Sequence, residues 1–268
     1  ESIGAVNIAT NSFDAEQGFA GGAAINVVTK SGTNQFHGVF FEHFGNAALN
    51  AKNFFYLEAK KPKYLWNTYG GTFGGPIRRN KLFFFGSWEG MRERSTFSRI
   101  ATLASADQRA GDFSAYRTNI YDPMTGLADG RERIPFPGAV IPTIRHSAIT
   151  RRLQALAPLP NLSGPANNFF ASAPTVFNRD NYDAKINYNL SPATTFWGKV
   201  AVMDARVQSQ YNLGEAGGQG MINGGGAGVG KVRAHVITLA GTHLLRPNFL
   251  IDGNLSFSHD PLDLVHSD

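Results

Sequence analysis

The sequence predicts an all-β protein, in which about seven antiparallel strands form part of a transmembrane β-barrel. Three observations predict this fold class. Strand-like runs recur from residue 36 onward, and tight turns alternate with long loops between them. Two of the runs alternate apolar and polar residues with a period of two. Charged residues make up only 17% of the chain, against roughly 25% in soluble domains, which fits strands with one face outside water.

The predicted strands follow a regular plan. They are the runs 36–44, 67–75, 82–92, 180–190, 194–205, 231–245 and 249–259. Tight turns follow three of them near Pro76, Pro192 and Pro247, whereas the other connections are long: 45–66, about 93–179 and 212–230. All the short turns therefore lie at one end of the strands and all the long loops at the opposite end. Bacterial outer-membrane barrels show this asymmetry, and a tilted spanning strand needs about 9–11 residues.

Residues 93–179 are too long for a structureless loop, so we expect a folded extracellular lobe. Ser105 to Gly111 has the pattern of a capped helical turn, and 147–157 that of a short amphipathic helix. The lobe also carries a run of arginines, for which a solvated face is the default interpretation. A site for an acidic ligand or for lipopolysaccharide is the alternative. These arginines are Arg131, Arg133, Arg145, Arg151 and Arg152.

The alternating strands predict which side chains face the lumen of the barrel. In 181–190 an apolar face that includes Tyr182, Ala184, Ile186 and Tyr188 opposes a polar face, and 249–258 repeats this pattern. In a bilayer the apolar face meets lipid. The predicted lumen-facing residues are therefore Asp183, Lys185, Asn187, Asp252 and Asn254. Aromatic residues near strand ends fit an interfacial girdle, with a buried core as the alternative: Trp66, Tyr69, Trp88, Tyr182 and Trp197.

Several function classes find no support in the sequence. The absence of cysteine excludes disulfides and thiolate metal sites, and the seven histidines show no metal-binding spacing. No apolar run approaches the roughly 20 residues of a spanning helix. The glycine stretch 225–231 imitates a P-loop, but Val232 stands where Ser or Thr is required. The net charge of +5 comes without a nucleic-acid-binding motif. We expect no enzyme activity, catalytic residue, metal, cofactor or nucleic-acid partner.

One stretch joins a compact first segment to the aromatic strands. Asn-Val-Val-Thr-Lys-Ser-Gly-Thr-Asn occupies 26–34, and Phe-His-Gly follows at 36–38. This sequence resembles the plug-to-barrel junction of TonB-dependent outer-membrane receptors, in particular their Oar-like branch. Further segments that are similar to this family are 47–55, 70–77, 81–90, 109–114 and 159–161.

The resemblance implies a barrel of about 22 strands with a plug in its lumen, powered by the TonB complex. It implies that residues 1–34 end a plug domain, that 35–268 begin the barrel, and that the chain is a piece of a longer protein. It assigns the junction to Asn26, Thr29, Lys30, Ser31, Gly32 and Asn34. The implied function is uptake of an unidentified extracellular ligand across the outer membrane, with membrane lipid and the TonB complex as partners. A structural or adhesive barrel is the alternative, and a soluble β-sandwich a third.

Overall fold

The computed structural model describes residues 1–9, 23–116, 118–218, 220–221 and 227–266. Residues 225 and 226 of the P-loop-like stretch lie outside this part. The chain divides into two compact units. The first comprises Glu1–Ser95, Val176–Gln208 and Val229–Val265. The second consists mainly of Thr96–Thr175 and Ser209–Gly228.

The main sheet is formed by eight described strands: β3 His37–Asn46, β4 Tyr64–Arg78, β5 Leu82–Ala101, β6 Phe169–Ser191, β7 Thr194–Ser209, β8 Gly228–Arg246, β9 Phe249–His259 and β10 Leu262–His266. Their order across the sheet is β10-β8-β7-β6-β5-β4-β3, with β9 also paired to β8. The pairs β3–β4, β4–β5, β6–β7 and β8–β9 are antiparallel. The described strands form an open sheet, with β3 at one edge and β9 and β10 at the other.

All seven predicted runs are strands, which confirms the all-β class, but two strands are much longer than expected. β5 continues to Ala101 instead of ending at 92, and β6 begins at Phe169 instead of 180. The connection between them is therefore only 102–168. Residues 92–101 carry polar side chains on both faces, so the period-two signal fades there although the backbone stays in the sheet.

A separate two-stranded sheet precedes the main one. It pairs β1, Ile3–Ala9, with β2, Ala24–Thr29, in antiparallel register. Val6 lies opposite Val27 and Asn7 opposite Asn26. We call this pair the N-terminal hairpin, and residues 30–36, which lead from it to β3, the junction.

The second unit is folded, as the sequence predicts. Its described residues include two α-helices, α1 at Ala106–Arg109 and α2 at Ala148–Leu156. Ser105 caps α1 in a complete capping box, because its hydroxyl accepts from Gln108 N and the Gln108 side chain accepts from Ser105 N. The Arg109 guanidinium donates to the carbonyl oxygens of Gln154 and Ala157, which ties α1 to the end of α2. Within the described residues, no helix is long and apolar enough to cross a membrane.

The main sheet has two chemically different faces. The face that bears the N-terminal hairpin is called the inner face, because Lys185 Nζ lies 3.4 Å from the Thr29 carbonyl oxygen. The outer face is dominated by exposed apolar side chains. Phe40 of β3 is 94% exposed and Leu255 of β9 is 75% exposed, for example. The outer apolar residues include Phe40, Phe73, Trp88, Tyr182, Ile186, Val200, Leu239, Leu255 and Phe257.

Candidate functional site: the inner face and the junction

The centre of the inner face is a polar network between β5, β6 and β7. The register places Lys185 directly opposite Lys199, so two cations lie side by side. Asp183 compensates one of them, since its Oδ1 lies 3.2 Å from Lys199 Nζ. The Ser87 hydroxyl donates to the other carboxylate oxygen over 3.3 Å. Lys185 instead places its ammonium 5.0 Å from the centre of the Trp197 ring, a cation–π contact.

A second ion pair extends the network along the same face. Arg179 donates from Nη2 to Glu89 Oε1 over 2.8 Å, and both side chains are about a third exposed. Arg179, Asp183 and Lys185 alternate along β6, so all three project from the same side of the sheet. The inner face is therefore lined by charges of both signs that are already partnered.

In the described part of the chain, the N-terminal hairpin meets this polar face at Lys185. Lys185 donates to the Thr29 carbonyl at 3.4 Å, near the limit for a hydrogen bond. Lys30 pairs with Glu1 at 3.7 Å, a contact within the hairpin region that is exposed on both sides. A cavity of about 170 Å³ lies between the N-terminal segment and the inner face of the sheet, with Glu1 and Ser2 on one side and Ser87 and Asp183 on the other. The N-terminal segment and the sheet are therefore not tightly packed against each other there.

The junction, in contrast, is held closely against the turn between β4 and β5. A side chain at position 32 would overlap the carbonyl oxygen of Phe84 and lie 2.8 Å from that of Gly75, so only glycine fits without movement. Asn34 Nδ2 donates to Asn80 Oδ1 over 2.6 Å, and Asn80 N donates to Asn34 Oδ1 over 2.7 Å. These contacts fix the point where the hairpin region joins the sheet.

The structure places the predicted junction residues along one continuous path. Asn26 lies in β2 opposite Asn7, and Thr29 ends that strand beside Lys185. Lys30, Ser31 and Gly32 line a second cavity of about 310 Å³ next to β3 and β4. Asn34 follows at the turn that it binds.

The five predicted lumen residues share the inner face. Asp183, Lys185 and Asn187 pair with Ala201, Lys199 and Trp197 of β7. Asp252 and Asn254 lie opposite Thr242 and Ala240 of β8, on the side where Thr238 and Ser256 share a 2.9 Å hydrogen bond. That this face lines a barrel lumen stays a prediction. The β9 residues are exposed, whereas Lys185 is only 9% exposed.

Sequence reasoning missed the partners in this network: Ser87, Glu89, Arg179, Trp197 and Lys199. Lys199 had little signal in the sequence, because both faces of 194–205 are mainly apolar and the run does not alternate cleanly. Of the five aromatic residues for which the sequence predicts an interfacial girdle or a buried core, Trp197 and Trp66 lie on the inner face, opposite the exposed apolar side chains. Trp197 pairs with Asn187, and Trp66 lies on the same side of β4 as Thr68 and Thr72. The girdle interpretation rests on the position of these residues near strand ends. The face on which a residue lies depends instead on whether its position along the strand is odd or even.

Within the described ranges, no group of His, Asp or Glu side chains is arranged to hold a metal ion. The acidic side chains nearest the centre of the inner face, Asp183 and Glu89, bind Lys199 and Arg179 instead. The arrangement thus offers a charged, water-compatible surface with alternating hydrogen-bond donors and acceptors. Such a surface can line a passage for a polar solute.

Comparison with known proteins agrees with this geometry. The outer membrane beta barrel domain family matches residues 28–267. A 113-residue segment is 29% identical to the TonB-dependent transporter Oar of Myxococcus xanthus, covering 40% of this chain and 11% of that protein. The match thus spans about a tenth of the length of this relative. No solved structure matches the chain significantly. Because the family match covers nearly the whole sheet, the chain belongs to the outer membrane beta barrel domain family and lies in the bacterial outer membrane.

Proposed function

We propose that the chain is the junction region of a TonB-dependent outer-membrane transporter of the Oar-like type. Residues 1–34 would then end a plug domain, and 35–268 would supply the first strands of a barrel of about 22 strands. The observation that carries the proposal is the N-terminal hairpin seated on the polar inner face, with Lys185 donating to the Thr29 carbonyl. A polypeptide segment inside a barrel would make such contacts with the wall.

The contrast between loose hairpin and fixed junction suggests how transport proceeds. The wall contact at Lys185 is a single long hydrogen bond, worth at most about 1–2 kcal/mol. The junction is held by Gly32 and by the paired amides of Asn34 and Asn80. Force applied through the TonB complex would therefore release the hairpin from the wall first and leave the junction as the fixed point. Asp183 and Lys185 would then be exposed along the opened path.

The ligand in this proposal is captured outside the cell by the loops and passes through the lumen unchanged. In the described part of the inner face the acidic groups are already paired with Lys199 and Arg179, so we propose binding and passage and no enzyme activity. The similarity to a named TonB-dependent transporter supports energy coupling by the same complex.

Accessibility of the wall tests this proposal without knowledge of the ligand. A cysteine replacing Ser87, which lines the cavity beneath the hairpin, is introduced into the full-length protein in living cells. We expect an impermeant maleimide to label it several-fold faster in cells with TonB than in cells without it. A cysteine at Ala128, in an exposed turn, serves as the control and should react equally in both. Equal rates at Ser87 in both strains would contradict TonB-driven opening.

The second unit favours an alternative, a structural or adhesive barrel. Its 102–168 segment is a folded lobe with capped helices and exposed apolar residues, including Ile144 at 90% and Met124 at 80% exposure. Folded loops of this size serve adhesion as well as capture. Deleting 113–150 should abolish attachment of cells to surfaces if adhesion is the function, while loss of TonB should leave attachment unchanged.

A further inference from the structure

The outer face carries a row of charges across four consecutive strands, β5 to β8. Arg92 Nη2 donates to both carboxylate oxygens of Asp180, at 2.9 and 2.8 Å. Asp180 lies directly opposite Asp204 in the β6–β7 register. Arg233 Nε donates in turn to Asp204 over 2.9 Å. We call Arg92, Asp180, Asp204 and Arg233 the paired row, because each carboxylate is compensated by an arginine from the strand beside it.

A second row lies two residues farther from the tight turns and is cationic. Arg94 donates to Asn178 over 2.7 Å, and Asn178 lies opposite Arg206. The Asp204–Arg233 contact and the contact of Gly198 with Leu239 define one β7–β8 register, which places Arg206 beside Lys231. We call Arg94, Arg206 and Lys231 the cationic row.

The cationic row has little opposing charge. Arg206 and Lys231 are both exposed. On β5 to β8, the described carboxylates of the outer face at this level belong to the paired row, where arginines already bind them. β10 adds Asp263 beside Lys231, since Leu264 contacts the inner side of Gly230 and its neighbour points the opposite way. With Asp263 added, the two rows over the described strands β5 to β10 thus combine five cations with three carboxylates.

The height of the rows matches one edge of a bilayer. Asp204 follows the tight-turn residue Ala193 by 11 positions. At about 3.3 Å per residue and a tilt near 40°, this distance is about 28 Å along the barrel axis, close to the apolar band of about 25 Å in outer-membrane barrels. The outward residues between are apolar or small: Phe196, Gly198, Val200 and Val202 on β7. Tyr69 lies at the upper end of this band, with its ring centre 5.8 Å from Arg92 Cζ.

We propose that the cationic row binds the phosphate groups of the phosphorylated glycolipid that forms the outer leaflet. A lipid with an anionic headgroup needs an apolar surface for its acyl chains and cations beside that surface at the level of the headgroup. The outer face has this arrangement. Arginine suits phosphate because its planar fork donates two parallel hydrogen bonds. Asp180 and Asp204 already bind Arg92 and Arg233. The phosphate groups of the headgroup therefore contact Arg94, Arg206 and Lys231.

The glycolipid, and not a phospholipid, is the proposed occupant because the rows lie at the end opposite the tight turns. Short turns face the periplasm in bacterial outer-membrane barrels, which puts the rows in the outer leaflet. The inference rests on this orientation and on the membrane location, and it is independent of TonB-driven uptake.

Native mass spectrometry of the full-length protein in detergent micelles tests the proposal with bisphosphorylated lipid A as the probe. The test variant combines Arg94→Gln, Arg206→Gln and Lys231→Gln. Its control combines Lys52→Gln, Lys60→Gln and Lys63→Gln, which removes the same charge from an exposed loop. We expect the test variant to bind lipid A about tenfold or more weakly, and the control to bind as the unchanged protein does.

Three results would overturn the inference. One is equal affinity of the unchanged protein for lipid A and its dephosphorylated form, and another is the same loss in both triple variants. The third is binding of phosphatidylglycerol as tight as that of lipid A, which would show that any anionic headgroup suffices. Retained heat-modifiable migration in gels shows that each variant is folded. The maleimide assay at Ser87 should be unchanged in the test variant, so the two proposals can fail separately.

Discussion

Asn34 and Asn80 exchange two hydrogen bonds, over 2.6 and 2.7 Å, across 46 residues of sequence. Asn80 lies in the turn between β4 and β5 with φ of 60°, a conformation that asparagine tolerates better than most residues. Its backbone N–H and its side-chain oxygen both bind Asn34. The pair therefore anchors the junction to the sheet through Asn80, whose left-handed backbone conformation few other residues tolerate.

Replacing either member of this pair should loosen the junction, and Asn34→Ala should loosen it more. Asn34→Ala removes both hydrogen bonds, whereas Asn80→Gly keeps the left-handed turn and the backbone donor and loses only the side-chain acceptor. Because the bonds are exposed, we expect Asn80→Gly to lose about 0.5–1 kcal/mol of unfolding free energy and Asn34→Ala about 1–2 kcal/mol. Thermal unfolding of the full-length protein in detergent micelles measures the loss.

The double variant of Asn34 and Asn80 provides the control for this pair. If the two residues act through each other, its loss should be clearly smaller than the sum of the single losses. Additive losses would show that the observed exchange of hydrogen bonds contributes nothing to stability.

Gly32→Ala should strain the junction through its backbone neighbours. The new methyl group overlaps the Phe84 carbonyl oxygen and approaches that of Gly75, and neither can rotate away. Overpacking of this kind costs about 1–3 kcal/mol. Gly253→Ala is the matched control, since nothing lies within 4 Å of the added methyl there. Equal thermal midpoints for the two variants would show that the junction yields without cost.

The sequence predicted the strands well where one face is apolar and the other polar. Strand 249–259 has the predicted bounds, and the β6–β7 turn lies at the predicted Pro192 and Ala193. The prediction failed where both faces are polar, as in residues 92–101 of β5. Strands pair through backbone hydrogen bonds, so a strand can continue where its side chains no longer alternate. Period two also predicts faces within a strand but not contacts between strands.

The candidate site illustrates the second limit. Alternation in 181–190 puts Asp183 and Lys185 on one face, and they do share it. It could not predict that Lys199 and Ser87 would bind Asp183, because those contacts depend on the register of two other strands. The Asn34–Asn80 pair has no signal in the sequence at all, since the two residues meet only when the turn folds back.

Labelling in intact cells tests which end of the sheet faces outward. A cysteine replacing Ala128, in an exposed turn of the second unit, should react with an impermeant maleimide. One replacing Ala193, in the tight β6–β7 turn, should react only after the outer membrane is permeabilised. A third at Gly226 should behave as Ala128 does; this residue lies outside the described part. The reverse order of reactivity would invert the orientation and remove the basis for a glycolipid site.

The face assignment of β6 can be tested with a fluorophore in the membrane. Ile186 is 50% exposed on the outer face, whereas its neighbour Lys185 is 9% exposed on the inner face. Ile186 also lies between the tight turn at Pro192 and the charged Asp180, near the middle of the apolar band. A lysine at this depth should cost about 2–4 kcal/mol of unfolding free energy, against about 0–1 near an interface.

The cost of Ile186→Lys alone does not decide the question, because a soluble sheet that buried Ile186 would be destabilised as well. Quenching by brominated lipid tails does decide it. A fluorophore attached at 186 in the full-length protein should be strongly quenched in brominated bilayers, and one attached at 185 only weakly. Negligible quenching at both positions would place β6 outside the bilayer. Stronger quenching at 185 would exchange the two faces, and with them the lumen assignment of Asp183, Lys185 and Asn187.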